Sequence, residues 1–203
     1  MPAQPSTTHL LYLHGFRSSP QSVKARLMAE HVQVKHPDLT WHCPQLPPSP
    51  QAAVTLLLQE TAAWPRDSMA VIGSSLGGFY ATWIAEKTGC KAVLLNPAVD
   101  PARDLANYIG EQSCWQDPQE RFFFRPEFVQ ELRDLSLPKL TRPERYLAII
   151  AKGDELLDWR EMHARYLSAR IHLLEGGDHG LSDFEQHVPM IMAFLGLAQG
   201  SGS

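Results

Sequence analysis

The sequence predicts an α/β fold of three layers, in which about six mostly parallel strands lie between helices. Short apolar runs rich in β-forming residues alternate with longer stretches of helical spacing, and this is the pattern of βα units around a parallel sheet. The length of 203 residues is close to that of one domain. Hydrophobic residues make up 44% of the chain and charged residues 20%, which is typical of a globular protein. We therefore expect one domain over residues 9–197, with flexible tails at residues 1–8 and 198–203.

The first two βα units are predicted from turn and capping signals. Residues 9–14 form an apolar run that predicts the first strand. Ser19 and Pro20 supply an N-cap and a proline at the first helical position. The helix that they predict carries Val23, Leu27 and Val34. The same pattern repeats with a strand at residues 39–43 and a helix that starts at Ser49-Pro50 and runs to residues 64–65.

The rest of the chain continues the pattern around one interruption. Residues 97–143 contain six prolines and a cluster of aromatic side chains. Asp100 followed by Pro101 predicts one helix start in this stretch and Pro126 another, so we expect a small helical cap inserted into the domain. Further strands are predicted at residues 69–72, 91–95, 146–151 and 170–174, and further helices at residues 76–87, 159–167 and 182–195.

Charge and cysteine content argue against several classes of protein. The net charge is −4 without a basic run, so the electrostatic footprint of a nucleic-acid binder is missing. Three widely spaced cysteines, Cys43, Cys90 and Cys114, fit neither a disulfide framework nor a paired zinc ligand set, which favours a reducing, cytoplasmic location. No apolar stretch reaches the roughly 20 residues of a membrane span, and residues 1–8 lack the features of a signal peptide. We expect neither a nucleic-acid nor a membrane partner.

A serine motif lies where a predicted strand meets a predicted helix. Residues 73–77, Gly-Ser-Ser-Leu-Gly, match G-x-S-x-G in one frame, with Ser75 at the centre. A serine on such a turn has a strained backbone, and the residues two positions away must lack side chains so that the backbones can pass. Gly73 and Gly77 meet this requirement. The motif predicts Ser75 as the nucleophile of an α/β-hydrolase, against the alternative of a glycine-rich turn with an idle serine.

A serine hydroxyl becomes a good nucleophile when a base takes its proton and an acid orients that base. In the chain order of α/β-hydrolases the acid follows a late strand and the histidine follows the last strand. Asp154 follows the predicted strand at residues 146–151, and His179 follows the one at residues 170–174. These two residues are the predicted acid and base. The eight other histidines include His172 in a predicted strand and His163 and His187 in predicted helices, where core or surface roles are more common.

Neighbouring acidic residues compete with Asp154 for the role of the acid. Glu155 adjoins it, and Asp158 with Glu161 three positions later resembles the N-cap of a helix that starts at Trp159. Asp178 adjoins His179, and because the side chains of neighbouring residues diverge, it is interpreted as structural. A second capping box, Ser182 with Glu185, is expected to begin the last helix and hold the His179 loop in place.

Two backbone amides are expected to form an oxyanion hole. One belongs to Leu76, directly after the serine at a helix N-terminus, and the other to Phe16 in the turn after the first strand. His14, Arg17 and Asn96 are predicted near the same sheet edge and are candidates for substrate contact. Each also has a structural interpretation, as a turn-shaping histidine, a solvated arginine and a turn asparagine.

Together these motifs resemble the YqiA-like bacterial esterases, which are small members of the α/β-hydrolase superfamily. The resemblance runs from about residue 10 to residue 197. It implies a three-layer α/β-hydrolase fold and a cytoplasmic acyl esterase or thioesterase with Ser75, Asp154 and His179 as its triad. The motifs are Leu-Tyr-Leu-His-Gly-Phe at 11–16, Ser-Ser-Pro at 18–20, Pro-Gln-Leu-Pro at 44–47, Gly-Ser-Ser-Leu-Gly-Gly at 73–78, Asn-Pro-Ala at 96–98, Gly-Asp-Glu at 153–155 and Gly-Asp-His at 177–179.

The expected reaction is hydrolysis of a small-molecule carboxylic ester or thioester through an acyl-enzyme, without cofactor or metal. A metal hydrolase is disfavoured because no histidine pair at helical i, i+4 spacing is accompanied by a carboxylate. Two alternatives stay open, namely a binding protein that keeps the fold without catalysis, and an acyltransferase or peptidase with the same triad. The oligomeric state is left open.

Overall fold

The computed structural model describes residues 6–197. Its centre is a six-stranded sheet in the order β2-β1-β3-β4-β7-β8, with every neighbouring pair parallel. This confirms the predicted fold class. In chain order the strands are β1 (His9–Leu13), β2 (Thr40–His42), β3 (Met69–Ser74), β4 (Lys91–Leu95), β5 (Gly110–Ser113), β6 (Arg121–Phe124), β7 (Tyr146–Ala151) and β8 (Arg170–Leu174).

Helices cover both faces of the sheet and give the fold its three layers. Because side chains alternate along a strand, Leu11 and Leu13 of β1 pack on one face, while Leu10 and Tyr12 pack on the other. Helices α2, α3, α5 and α6 cover the first face, and α1 and α7 cover the second. The helices are α1 (Val23–Lys35), α2 (Pro50–Glu60), α3 (Leu76–Thr88), α4 (Pro101–Leu105), α5 (Pro126–Asp134), α6 (Trp159–Arg165) and α7 (Val188–Leu195). Short 3₁₀ turns lie at Ala106–Tyr108, Pro143–Arg145 and Phe184–His187.

The inserted cap contains the two predicted helices, α4 and α5, and also an antiparallel hairpin of β5 and β6 that the sequence analysis did not predict. Along β6 the side chains alternate: Phe122 and Phe124 point towards the domain, while Phe123 is 56% exposed. Phe122 and Phe124 each contact the Phe16 ring edge to face, with ring centroids 5.8 and 5.3 Å away. The cap therefore packs on the turn that follows β1.

Helix α1 begins later than its capping signal suggested. Ser19 accepts a hydrogen bond from the Gln21 amide, but this turn precedes the helix, which starts at Val23 after Ser22. Val23 is 63% exposed, and the residues that α1 buries are Ala25, Met28 and Val32. Val34 is exposed as well, so two of the three apolar residues that predicted this helix face solvent.

Two residues of the expected N-terminal tail, Thr7 and Thr8, make hydrogen bonds to the domain. Thr7 is buried, and its hydroxyl donates to the Leu195 carbonyl at the end of α7 over 2.6 Å. The Thr8 amide donates to the Ser68 carbonyl. The remaining predicted tail residues, 1–5 and 198–203, lie outside the described part of the chain. Within residues 6–197, no helix combines the length and apolar character needed to cross a membrane.

Candidate active site

Ser75 lies on a tight turn between β3 and α3. Its backbone has φ of 56° and ψ of −119°, a left-handed conformation that non-glycine residues rarely adopt. The turn brings backbones into contact, because a Cβ on Gly77 would lie 2.0 Å from the Leu13 carbonyl oxygen and one on Gly73 would lie 2.1 Å from the Gly77 oxygen. Glycine is required at both positions for the turn to close.

Ser75, His179 and Asp154 form a continuous hydrogen-bonded chain. His179 Nε2 lies 3.0 Å from Ser75 Oγ, and His179 Nδ1 lies 2.8 Å from Asp154 Oδ2. The other carboxylate oxygen of Asp154, Oδ1, accepts the amide hydrogens of Leu156 and Leu157, each over 2.8 Å. The structure thus brings the three predicted residues together from the ends of β3, β7 and β8.

The hydrogen bond to the Asp154 carboxylate determines the tautomer of His179. Asp154 accepts a hydrogen bond at Oδ2, so the imidazole carries its hydrogen on Nδ1 and leaves Nε2 to accept from the Ser75 hydroxyl. The Asp154 side chain is fully buried and that of His179 is 17% exposed. Burial keeps water from competing for either hydrogen bond.

The two competing acids occupy other positions. Asp158 accepts from the Arg160 amide at the start of α6, which confirms that it is an N-cap. Glu155 is exposed and accepts the backbone amide of His179 over 2.9 Å. Of the three carboxylates, Asp154 is the one hydrogen-bonded to the imidazole.

The predicted capping box at Ser182 is wrong. Ser182 donates both its amide and its hydroxyl hydrogen to the Asp178 carboxylate, four residues earlier, so its hydroxyl is a donor in the loop and not a helix cap. The last helix also starts later, because a 3₁₀ turn at Phe184–His187 precedes α7, which has a proline in its first turn. Asp178 is the residue that closes the His179 loop, and these hydrogen bonds lower the pKa of its carboxyl.

The two expected oxyanion donors lie beside the serine. Leu76 is the first residue of α3, and the turn with Phe16 passes against Ser75, since a Cβ on Gly15 would lie 3.2 Å from the Ser75 Cβ. Within residues 6–197, neither the Phe16 nor the Leu76 amide donates to another backbone carbonyl outside a helix or strand. Both N–H groups are therefore free to receive a negatively charged oxygen.

The sequence model of a protein family matches most of this chain. The sequence model of the Uncharacterised protein family UPF0227 matches residues 9–196. The chain belongs to this family. It is the YqiA-like family that the sequence motifs resemble, so that assignment is confirmed.

Solved structures share the fold of this UPF0227 chain at low sequence identity. Mouse alpha/beta hydrolase domain-containing protein 10 superposes with a TM-score of 0.68 at 14% identity, covering 94% of this chain and 92% of that one. A structure of the metagenome-derived lipolytic enzymes LipS and LipT gives 0.67 at 17% identity, covering 96% and 98%. The Pyrococcus furiosus esterase Pf2001 gives 0.63 at 15% identity, covering 97% and 84%. These likenesses show that the chain has the α/β-hydrolase fold.

In this UPF0227 member, His14 holds two loops together and is buried. Its Nε2 accepts the Leu46 amide over 3.1 Å, which leaves the hydrogen on Nδ1, 3.0 Å from the Gly15 carbonyl oxygen. Both ring nitrogens are occupied by backbone. His14 therefore joins the turn before Phe16 to the segment before α2 and does not present a free nitrogen to substrate.

We expect protonation of His14 to destabilise the fold. Burial lowers the pKa of His14 below its usual value, so as the pH falls the unfolded chain, with a pKa of about 6.5, binds the proton first. Stability is greatest above that pH and declines as the pH drops towards the folded-state pKa. Urea unfolding at about pH 7.5, 6.5 and 5.5 should show a steeper decline for the wild type than for His14→Gln. Equal slopes would contradict this, and His163→Gln on α6 is the control.

Arg17 and Asn96 are both held by protein groups. Arg17 donates from Nε to the Ser113 carbonyl of the cap hairpin over 2.8 Å, and its guanidinium stacks 4.0 Å from the centroid of the Trp115 ring. Arg17 therefore joins the turn after β1 to the cap. Asn96 is fully buried, and its amide lies beneath the His179 loop, hydrogen-bonded to backbone. The structure thus places Asn96 away from substrate.

A cavity of about 920 Å³ opens beside Phe16 and Leu76. Phe16, Leu76, Tyr80 and Phe122 form its inner wall, and exposed polar residues of α2 form its outer wall. Neither Ser75 nor His179 is among the described residues that line it. Residues 6–197 contain no group of three or more His, Cys, Asp and Glu side chains placed to hold a metal ion.

Proposed function

We propose that this protein is a serine hydrolase that cleaves small-molecule carboxylic esters or thioesters. The observation that carries the proposal is the hydrogen-bonded chain from Asp154 through His179 to Ser75, with distances of 2.8 and 3.0 Å. A serine at the centre of a strained turn, with a correctly oriented base, has the chemistry of a nucleophile.

In the acylation step, Ser75 Oγ attacks the carbonyl carbon of the substrate while its proton passes to His179 Nε2. The tetrahedral oxyanion accepts hydrogen bonds from the Phe16 and Leu76 amides, and each such donor is worth about 10²- to 10³-fold in rate. Asp154 stabilises the imidazolium. As the intermediate collapses, the bond to the leaving oxygen or sulfur breaks, and His179 returns the proton to the leaving group.

Deacylation reverses the roles. His179 Nε2 takes a proton from water, whose oxygen attacks the acyl carbon of the ester on Ser75. The second oxyanion occupies the same pair of amides, and its collapse releases the carboxylic acid as the proton passes back to Ser75 Oγ.

We propose that the cavity beside Phe16 and Leu76 receives the acyl group. The leaving group must face His179 Nε2, because that nitrogen donates its proton, so the acyl group extends to the opposite side of the serine. The cavity of about 920 Å³ is lined by Phe16 and Leu76, the residues whose amides we assign to the oxyanion, and is within the size range of small-molecule sites. Its inner wall of Phe16, Tyr80 and Phe122 favours an apolar portion next to the carbonyl.

Structural neighbours support the general class of reaction. One is described as a lipolytic enzyme and another as an esterase. Because the fold also supports other functions, the assignment of the reaction rests on the arrangement of Ser75, His179 and Asp154.

The proposal is tested with the folded protein and a fluorophosphonate probe, followed by p-nitrophenyl esters from acetate to a long acyl chain. We expect the probe to modify Ser75, as located by peptide mass spectrometry, and to leave the urea-unfolded chain unmodified. Ester hydrolysis should show a clear optimum of acyl length, set by the cavity.

Other outcomes would favour the alternatives. A folded protein that neither reacts with the probe nor hydrolyses any ester or thioester would contradict the proposal and favour a binding protein. Transfer of the acyl group to added alcohols or amines in preference to water would instead identify an acyltransferase.

A further inference from the structure

The backbone around His179 is held by side chains that come from three other parts of the fold. Asn96 Nδ2 donates to the carbonyl oxygens of Asp178 and His179 over 3.0 and 3.1 Å. The two hydrogens of one amide group thus bind two successive carbonyls directly beneath the imidazole.

The other two side chains act at the edges of the same loop. Glu155 accepts the His179 amide hydrogen over 2.9 Å, and Lys24 Nζ from α1 donates to the Gly180 carbonyl over 2.5 Å. Glu155 is exposed and Lys24 partly buried, whereas Asn96 has no exposed surface. The hydrogen bonds of Asn96 are therefore the ones most protected from water.

Asn96 also binds the strand that carries the acid. Its Oδ1 accepts the amide hydrogen of Ala151, the last residue of β7, over 2.8 Å, and Asp154 follows three residues later. The Asn96 backbone amide donates to the Ile149 carbonyl of the same strand. One side chain thus links the acid strand to the histidine loop.

The turn that contains Asn96 contacts the serine as well. The Ala98 amide donates to the Ser75 carbonyl over 3.0 Å, and the Ser75 amide donates to the Leu95 carbonyl over 3.0 Å. Pro97 lies so close to α3 that a Cβ on Gly78 would be 2.7 Å from its side chain. Residues 95–98 therefore touch the elements that carry Ser75, Asp154 and His179.

We propose that Asn96 is a positioning residue of the hydrolytic site, one that fixes the imidazole of His179 relative to both Asp154 and Ser75. The inference rests on the proposed function. It explains why an amide occupies this place: two hydrogens are donated and one lone pair accepts, which neither an aspartate nor an apolar side chain can do. Asparagine also tolerates the positive φ of 42° at this residue.

The expected consequence of losing Asn96 is slower chemistry with normal substrate binding. Because Asn96 has no exposed surface, it does not contribute to the affinity for substrate. Its removal leaves the His179 carbonyl and the Ala151 amide without their side-chain partner, and the Asp178 carbonyl with the Leu181 amide alone, so the loop shifts. A displacement of about 1 Å of a reacting group costs about 10²-fold in rate.

The test measures ester hydrolysis by the full chain carrying Asn96→Asp, Asn96→Ala or Asn96→Ser, at temperatures where circular dichroism shows each to be folded. We expect kcat to fall by about 10²-fold and KM to stay within about threefold. The downfield proton NMR signal of the hydrogen between His179 Nδ1 and Asp154 should weaken or move. Lys24→Met, which loses the contact at Gly180 alone, should cost at most about tenfold.

The control is Ile191→Ala in α7, which removes a fully buried side chain and lowers stability. If Asn96 were merely structural, its variants would behave like this control, with a lower melting temperature and an unchanged kcat per folded molecule. That result would overturn the inference. A wild type without any hydrolysis or probe reaction would instead contradict the proposed function itself.

A measurement on the wild type requires no variant to fold. The Nδ2 hydrogens of Asn96 should exchange with solvent at least about 10²-fold more slowly than those of the exposed Gln51 side chain. Equal exchange rates would show that the contacts at Asp178 and His179 do not persist in solution and would overturn the proposal.

Discussion

Ser75→Ala is expected to lower kcat by about 10⁴- to 10⁶-fold, with the melting temperature within about 2 °C of the wild type. The activity falls because no other hydroxyl is hydrogen-bonded to His179 Nε2 among the described residues. The fold is kept because alanine retains the Cβ and adopts the same backbone, so neither packing nor the strain at φ of 56° changes. Stopped assays with the best p-nitrophenyl ester, together with thermal melts, measure both quantities.

The neighbouring serine provides a matched control. Ser74 is the last residue of β3 and is buried, so Ser74→Ala removes a hydroxyl at almost the same place without touching the nucleophile. We expect its kcat to stay within about threefold of the wild type. Residual activity above about 1% in Ser75→Ala, or a comparable loss in Ser74→Ala, would show that the nucleophile is misassigned.

The convergence of Ser75, Asp154 and His179 could be predicted because it follows from topology. Ser75 comes directly after β3, while Asp154 lies three residues after β7 and His179 five residues after β8. The carboxyl ends of parallel strands meet at one edge of the sheet. Strands β3 and β7 are buried along their whole length, so their sequences are short apolar runs that predict a strand. The order of strands in the sequence is therefore enough to predict that the three residues lie together, without knowledge of any side-chain contact.

The role of Asn96 could not be predicted in this way. Asn96 follows β4 and binds residues of β7 and of the loop after β8 that are 55 to 83 positions further along the chain. A local sequence pattern does not show which residues so far apart will be in contact. The signal available in the sequence was an asparagine directly after an apolar strand. It indicated a residue at the sheet edge but not the direction of its side chain.

The cap hairpin was missed for a different reason. Strand β5 reads Gly-Glu-Gln-Ser, which has little intrinsic preference for strand, and it is held by pairing with β6. The structure buries Phe122 and Phe124 more than their neighbours, but the sequence Arg-Phe-Phe-Phe itself has no period-2 alternation of apolar and polar residues. In the inserted segment, Pro101 and Pro126 predict helix starts, and these fit α4 and α5 alone.

Asp154→Asn is expected to lower kcat by about 10⁴-fold while leaving the fold intact. The surroundings of the carboxylate explain the size of the effect. Two backbone amides, those of Leu156 and Leu157, donate to one side of Asp154, so an asparagine must turn its oxygen to them and its NH₂ group to His179. The imidazole then has to accept at Nδ1 and carry its hydrogen on Nε2. In that tautomer it cannot accept the proton of Ser75.

The two nearby carboxylates test whether this assignment is specific to Asp154. Asp158→Asn keeps an oxygen that accepts the Arg160 amide, and Glu155→Gln keeps one that accepts the His179 amide, so both variants should hold kcat within about threefold to fivefold. If Asp154→Asn were nearly as active as the wild type and Asp158→Asn inactive, the acid would be misassigned. Because all three changes remove one negative charge within five residues of each other, a general electrostatic effect predicts similar losses in each. A loss confined to Asp154→Asn can come from the tautomer alone.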